Sequence, residues 1–182
     1  MEKFRYSDAG TKNYNFTWCE LCDWYVELSK GAHLNPNVLL HVLKNVLKLL
    51  HPFVPFVTEA LWSNLNEEKM LIEETWPKFD KDLLFDKEVE EMEILHQIIS
   101  DIRSVRAQYN VEPGKKIMAV VYAGKYKDFL EEKIEPLKRM ARIENIDILE
   151  KGDKIEKAVC VFVSDIEVYL PLNELVDTEK ET

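Results

Sequence analysis

The stretch VEPGKKIMAVVYA, residues 111–123, separates two kinds of sequence pattern. Its first half contains Pro113-Gly114, a turn signal, and its second half is a short β-branched run typical of a buried strand. Before this stretch apolar residues recur at helical spacing, and after it short apolar runs predominate. The sequence therefore predicts an α+β fold, in which an N-terminal α-helical bundle over residues 1–112 precedes a small mixed α/β unit with three or four strands over residues 113–173.

Four helices are expected before the turn, at about residues 7–30, 35–51, 55–65 and 83–109. Ser7 is a candidate N-cap of the first helix, because its hydroxyl can accept a hydrogen bond from an unpaired backbone N–H group. Asn35-Pro36 marks the start of the second helix, since proline favours the first helical position. Residues 66–82 are polar and acidic, and they are interpreted as a connector.

After the turn, the sequence predicts a strand in IMAVVYA, a helix over residues 125–142 and further strands in IDIL, KAVCVFV and IEVYLPL. A turn at Ser164-Asp165 separates the last two strands.

The composition narrows the class of protein. The chain has 182 residues and a net charge of −10, which argues against a general nucleic-acid coat. It has no run of about 18 apolar residues, and its first thirty residues lack the apolar segment of a signal peptide. We therefore expect a cytoplasmic protein with neither a membrane nor DNA as a partner. Residues 61–100 carry eleven acidic and four basic side chains, so a bound RNA is expected to avoid them.

The spacing Cys19-x-x-Cys22 raises the possibility of a metal or redox site. A structural zinc site needs four ligands, yet the chain's only other cysteine, Cys160, stands alone in a predicted strand, and the four histidines lack metal-ligand spacing. A thioredoxin-like site requires a strand before the motif, whereas this motif lies within a helical pattern. The sequence therefore predicts no metal site, and two buried or half-buried thiols that share a helix face.

The sequence predicts no catalytic residue and no cofactor site. It contains no phosphate-binding glycine motif, no H-E-x-x-H and no G-x-S-x-G. His51 is interpreted as a helix-end histidine, and the paired carboxylates at 67–68, 73–74 and 90–91 as a solvated acidic face.

One cluster favours contact with RNA. Arg103 and Arg106 lie three residues apart on a helix, Lys115 and Lys116 follow in the adjoining turn, and Tyr109 lies between the two pairs. Such cations can bind phosphates, while an aromatic ring can stack on a base. The alternative is that the arginines pair with the acidic residues 86–93 or cap the end of the helix.

Four stretches carry a resemblance to a known family: FTWCELCDWYVELSK, LLHPFVPFVTEALWSNL, IRSVRAQYNVEPGKKI and IEVYLPLNELVDTEKE. Together they resemble the C-terminal, anticodon-binding region of the valyl-tRNA synthetases, which are class I aminoacyl-tRNA synthetases. The HPF..PF.TE..W pattern recurs in the isoleucine and leucine enzymes, so the equivalent region of one of those enzymes is an alternative. The CDWY, VEPGKK and EVYLPL segments favour valine.

The resemblance implies a function and its partners. It implies a region that binds a valine-accepting tRNA and packs on the remainder of a parent synthetase, a ligase of protein biosynthesis. The signatures of the ATP-dependent catalytic domain are absent, so ATP would belong to the parent and the fragment would not be an enzyme. The first helices of the bundle would precede Met1, and residues 174–182 would begin a coiled-coil arm.

Combined with the basic cluster, the resemblance leads to a hypothesis about side chains. We assign Arg103, Arg106, Lys115 and Lys116 to the tRNA backbone, with Lys30 as a weaker candidate. Six aromatic residues are interpreted as core rather than as platforms for bases: Trp18, Trp24, Tyr25, Phe53, Phe56 and Trp62. Two alternatives of other classes stay open, namely a scaffold module without RNA contact and a small enzyme with a pocket near His51 or the cysteines.

Overall fold

The computed structural model describes residues 5–30, 35–65 and 69–175, without the side chains of residues 173 and 174. The chain divides into two compact units, Met1–Leu84 and Phe85–Thr182. The predicted arm segment, residues 174–182, lies outside the described residues beyond Leu175.

The first unit begins with one long helical segment. Helix α1, Tyr6–Asn15, continues directly into a π-helical segment, Phe16–Val26, in which hydrogen bonds close over five residues. The predicted helix over 7–30 is thus confirmed, but the Ser7 cap is wrong. Arg5 occupies the N-cap position and forms an ion pair with Asp8 in the first turn, where a negative charge suits the helix dipole.

The next two helices follow the sequence signals closely. Helix α2, Pro36–Leu50, is capped by the side chain of Asn35, which accepts hydrogen bonds from the N–H groups of Asn37 at 3.1 Å and Val38 at 3.4 Å. Helix α3 is Pro55–Ser63, again with proline in the first turn. Short 3₁₀ turns at Leu71–Glu73 and Lys81–Leu83 interrupt the predicted connector. The core of this unit includes Leu47, Trp62 and Leu71.

The second unit is a four-stranded sheet with helices. Its helices are α4 Asp86–Gln108, α5 Lys127–Glu132, α6 Ile134–Ala141 and α7 Leu172–Leu175. Its strands are β1 Ile117–Tyr122, β2 Ile143–Leu149, β3 Ala158–Val163 and β4 Ile166–Pro171. The sheet order is β2-β1-β4-β3, with β1 and β2 parallel and the other neighbours antiparallel. The predicted α+β class and strands are confirmed.

The helix predicted over residues 125–142 is broken into a 3₁₀ turn at Gly124–Tyr126 and the two helices α5 and α6. Pro136 explains the break. In a continuous helix its ring would collide with the carbonyl of Glu132, four residues earlier. Because a new helix starts at Ile134, Pro136 falls in the first turn, where the missing N–H group has no partner to lose.

Helix α4 groups with the sheet rather than with the preceding helices, so the structure does not divide at residue 112. Its buried face carries Leu95, Ile98, Ile99 and Ile102, each 0% exposed, and the helix packs against α6 and β3. The sequence pattern shows that such an apolar face exists, but only the tertiary packing decides which part of the chain covers it. The carboxyl end of α4 thereby meets the carboxyl end of α6 and the start of β1.

Candidate nucleic-acid interface

The chain turns sharply after α4. Asn110 adopts a left-handed conformation, with φ of +52°. The N–H of Val111 donates to the carbonyl of Arg106 at 2.9 Å, and that of Asn110 donates to Ala107 at 3.1 Å. This pair of bonds is a Schellman motif, which satisfies carbonyls at the helix end. The helix therefore ends before Pro113-Gly114, and residues 111–116 form a short connection that leads Lys115 and Lys116 into β1.

Arg106 is buried beneath this connection. Its guanidinium donates to the carbonyls of Glu112 at 3.1 Å, Lys115 at 2.7 Å and Arg142 at 3.4 Å, and the residue is 6% exposed. Burial, followed by the nearby charge of Arg142, lowers the pKa of Arg106 below its ordinary value. The prediction that Arg106 contacts tRNA phosphates is corrected, because its donors are directed at buried backbone carbonyls.

Arg103 remains on the surface, with its Nε atom donating to the carbonyl of Met140 at 3.0 Å. Both arginines thus bind carbonyls at the carboxyl end of α6, where the helix dipole favours positive charge. One alternative from the sequence is that these arginines cap the end of their own helix. They do cap a helix end, but the helix is α6 rather than α4. The tRNA contact of Arg103 stays a prediction.

Lys116 is exposed and lines a surface cleft with a volume of about 590 Å³. We call it the basic cleft, and its lining residues are Gly114, Lys116, Glu135, Lys138, Arg139, Arg142, Ile143 and Glu144. Four cationic side chains face two carboxylates, so the lining is net positive within an acidic chain. Lys115 is half-buried beside the cleft. The RNA contacts of Lys115 and Lys116 stay predictions.

Arg142 joins the two walls of the cleft. It caps α6 in a left-handed conformation, with φ of +56°. Its side chain donates to the carbonyl of Pro113 on the opposite wall, while its own carbonyl accepts from the N–H of Ile117 at 3.3 Å as well as from Arg106. The cations of α6 are thus held beside the start of β1.

Lys30 belongs to the first unit. Its ammonium group forms an exposed ion pair with Glu27, three residues earlier on the helical segment. An exposed pair at this spacing contributes little to stability. The tRNA contact of Lys30 stays a prediction.

The HPFVPFVTEALW stretch forms a structural network in the first unit. The Nδ1 atom of His51 lies 2.8 Å from the hydroxyl of the buried Thr58. Glu59 accepts from the N–H of Leu71 at 2.9 Å, and Trp62 donates its indole N–H to the carbonyl of Lys69 at 3.0 Å. His51 is therefore a helix-end histidine, as the sequence indicates. A cavity of about 120 Å³ beside it is lined in part by Lys48 and Glu74, which pair with each other.

Residues 1–122 match the family described as the anticodon-binding domain of tRNA ligase.

The chain belongs to this family.

The matched residues cover α1 to α4 and reach the end of β1.

The curated relatives of this anticodon-binding domain include three proteins named valine–tRNA ligase. The protein from Clostridium tetani is 35% identical over 192 residues, which cover 100% of this chain and 22% of the relative. The protein from Dehalococcoides mccartyi is 35% identical over 198 residues, with the same coverage. That from Geobacillus kaustophilus is 35% identical over 195 residues and covers 99% of this chain and 22% of the relative. The chain thus spans about a fifth of the length of these relatives.

The aromatic residues of this anticodon-binding domain divide by exposure. Trp62 is buried, as expected, and Trp24, Tyr25 and Phe53 are half-buried. The expectation of a core position is wrong for Trp18 and Phe56, which are 58% and 90% exposed. The expectation of buried or half-buried thiols is also wrong for Cys19 and Cys22, which are exposed. One turn of a π-helix contains more residues than one turn of an α-helix. Residues three positions apart, such as Cys19 and Cys22, are therefore farther apart around the helix axis than in an α-helix.

Three cleft residues were missed by reasoning from the sequence, namely Lys138, Arg139 and Arg142. The sequence did contain a signal for them. KRMAR, residues 138–142, places three cationic residues at the carboxyl end of a predicted helix, where the helix dipole favours positive charge. What the spacing could not show is that this helix end faces the start of β1. No group of histidines, cysteines and carboxylates in the described ranges could hold a metal ion. Within the same ranges, no helix is long and apolar enough to span a bilayer.

Proposed function

We propose that the chain is the tRNA-binding region of a valine–tRNA ligase and that it holds a valine-accepting tRNA while the parent enzyme attaches the amino acid. The observation that carries the proposal is the similarity to proteins named valine–tRNA ligase along the whole of this chain, which corresponds to 22% of each relative, combined with the anticodon-binding family match. On this proposal ATP binds elsewhere in the parent, the parent works in the cytoplasm, and the chain itself performs no chemical step.

The structure supports this proposal with a surface suited to RNA. Binding to a nucleic acid requires cations that replace the counterions of its phosphates. The basic cleft offers four such side chains in a chain whose net charge is −10. Two further cationic residues lie next to it, namely Arg103, which donates to the carbonyl of Met140, and Lys115, which precedes Lys116.

The test is to measure binding of the 182-residue chain to a valine tRNA transcript across a salt series. A transcript with altered anticodon bases and an unrelated tRNA are the comparisons. We expect binding that weakens as salt rises and that prefers the valine tRNA. Absence of binding at low salt would contradict the proposal and favour a scaffold role, in which the chain only packs on the rest of its parent.

A further inference from the structure

We propose that the basic cleft holds the RNA backbone through its phosphates without reading sequence, and that Arg106 is a positioning residue that fixes its two walls. The inference rests on the proposed function, since the RNA concerned is the tRNA of that proposal. On this inference the cleft contributes affinity for the tRNA and does not discriminate between anticodons.

The lining chemistry favours phosphate over bases. Of the described residues that line the cleft, none is aromatic, and the uncharged ones are Gly114 and Ile143. Reading an unpaired base usually combines stacking on a flat side chain with hydrogen bonds to the base edge. Lys116, Lys138 and Arg139 instead offer charged donors to phosphate oxygens. The cleft has a volume of about 590 Å³, which is more than one phosphate group occupies.

Helix α4 separates the charges of the second unit. Its start carries the exposed acidic residues Asp86, Glu88 and Glu90, and its end carries the exposed Arg103. At a rise of about 1.5 Å per residue, the two ends lie roughly 30 Å apart. An approaching polyanion is therefore repelled at one end of α4 and attracted at the other, where the basic cleft lies.

Arg106 acts through the cleft walls rather than on the RNA. Its guanidinium binds the carbonyls of Glu112 and Lys115, which belong to the connection that carries Lys116. It also binds the carbonyl of Arg142, which belongs to the α6 wall. Since it is 6% exposed, its charge is used inside the protein. Replacing it would alter the separation of Lys116 and Arg142 without removing any cation from the surface.

The experiment uses the 182-residue chain, the valine tRNA transcript and the transcript with an altered anticodon, each over a salt series. The variant is Lys116→Ala with Arg139→Ala, since both side chains are exposed. The matched control is Lys151→Ala with Lys154→Ala, which makes the same change in charge in the loop after β2. That loop follows the far end of β2, about 20 Å from the cleft at the rise of a strand.

We expect the cleft variant to bind both transcripts at least about tenfold more weakly at low salt and by the same factor, with a salt dependence about two counterions shallower. The control variant should bind as the unmodified chain does. If the unmodified chain binds neither transcript, the proposed function fails and the inference with it. If it binds but the cleft and control variants behave alike, only the inference fails. If the cleft variant lost affinity for the valine tRNA transcript alone, the inference would also be overturned, because the cleft would then discriminate between anticodon bases.

The role of Arg106 has its own measurement. Arg106→Lys keeps the charge but cannot span three carbonyls, so tRNA affinity should fall. In the Lys116→Ala, Arg139→Ala background the same substitution should have much less effect on affinity, because the cations that it positions are gone. Equal effects in both backgrounds would show that Arg106 supports the fold only. Circular dichroism verifies folding, and if Arg106→Lys does not fold, the cleft and control variants still decide the main inference.

Discussion

Of the four glycines in the described residues, Gly152 is the one where an added methyl group would meet its neighbours at the shortest distance. A Cβ atom there would lie 2.5 Å from Cζ of Tyr122. That ring is held at two points, because its hydroxyl donates to the carbonyl of Asp153 at 2.8 Å and the ring makes a tilted contact with that of Tyr169, with centroids 5.3 Å apart. We expect Gly152→Ala to lower the free energy of unfolding by about 1–3 kcal/mol, measured by urea denaturation.

Gly114→Ala provides the comparison for this prediction, since a Cβ atom at residue 114 meets no atom within 4 Å. Its effect should stay within about 0.5 kcal/mol. Equal losses in the two variants would show that the contact with Tyr122 is not the cause.

Arg106 shows the limit of sequence reasoning for single residues. The spacing of Arg103 and Arg106 correctly placed both on one helix, and a cation near a turn is usually solvated. The burial of Arg106 depends on a carbonyl of Arg142, 36 residues later in the chain. No local pattern contains that information, so the residue that organises the cleft was first interpreted as one that touches RNA.

The end of α4 offers a test of helix termination. Asn110 holds the left-handed position of the Schellman motif with φ of +52°, a conformation that glycine adopts at lower cost. We expect Asn110→Gly to raise the free energy of unfolding by about 0.5–1 kcal/mol and Asn110→Ala to lower it by about 1 kcal/mol. Thermal unfolding followed at 222 nm, a wavelength that reports helix, measures both. A lower free energy of unfolding for Asn110→Gly would show that backbone strain at residue 110 does not limit the stability of the cap.

The packing of α2 on the segment after α3 predicts a pH dependence. Glu74 accepts a hydrogen bond from Lys48 at 2.8 Å, and that bond lowers the pKa of Glu74 below its ordinary value of 4.5. A carboxyl group whose pKa is lowered in the folded state stabilises the protein at pH values above its ordinary pKa. This stabilisation is lost as the pH falls through the pKa of the folded state. The first unit should therefore lose stability as the pH falls below about 4.5, the ordinary pKa of Glu74. Glu74→Gln should reduce this loss in urea titrations, whereas Glu73→Gln, at an exposed neighbour, should leave it unchanged.

Secondary-structure elements were predictable where the signal is local. Asn35 and Pro36 fix the start of α2, and the β-branched run fixes β1, because capping and strand preference act within a few residues. The π-helical winding of Phe16–Val26 was not predictable, since π-turns are rare and the apolar residues of this segment recur at α-helical spacing. Pro136, by contrast, was a readable signal for the break between α5 and α6.

At the scale of the whole molecule, the class of fold follows from the change of apolar spacing at residues 111–123, and that prediction is confirmed. The division of the chain does not follow from it, because a helical pattern is equally compatible with a bundle and with a layer on a sheet. The same holds for the basic cleft, whose cations come from two segments that are 22 residues or more apart in sequence.

The division at Leu84 and Phe85 leads to a direct prediction about fragments. Residues 85–182 contain the sheet and α4, whereas residues 113–182 keep the sheet without the four fully buried side chains of α4: Leu95, Ile98, Ile99 and Ile102. Burying one such side chain contributes about 1.5–3 kcal/mol, and a domain is only about 5–15 kcal/mol stable. We expect the longer fragment to unfold cooperatively in urea and the shorter one to lack a cooperative transition. Cooperative unfolding of residues 113–182 would instead support the boundary at 112, with α4 as part of the helical bundle.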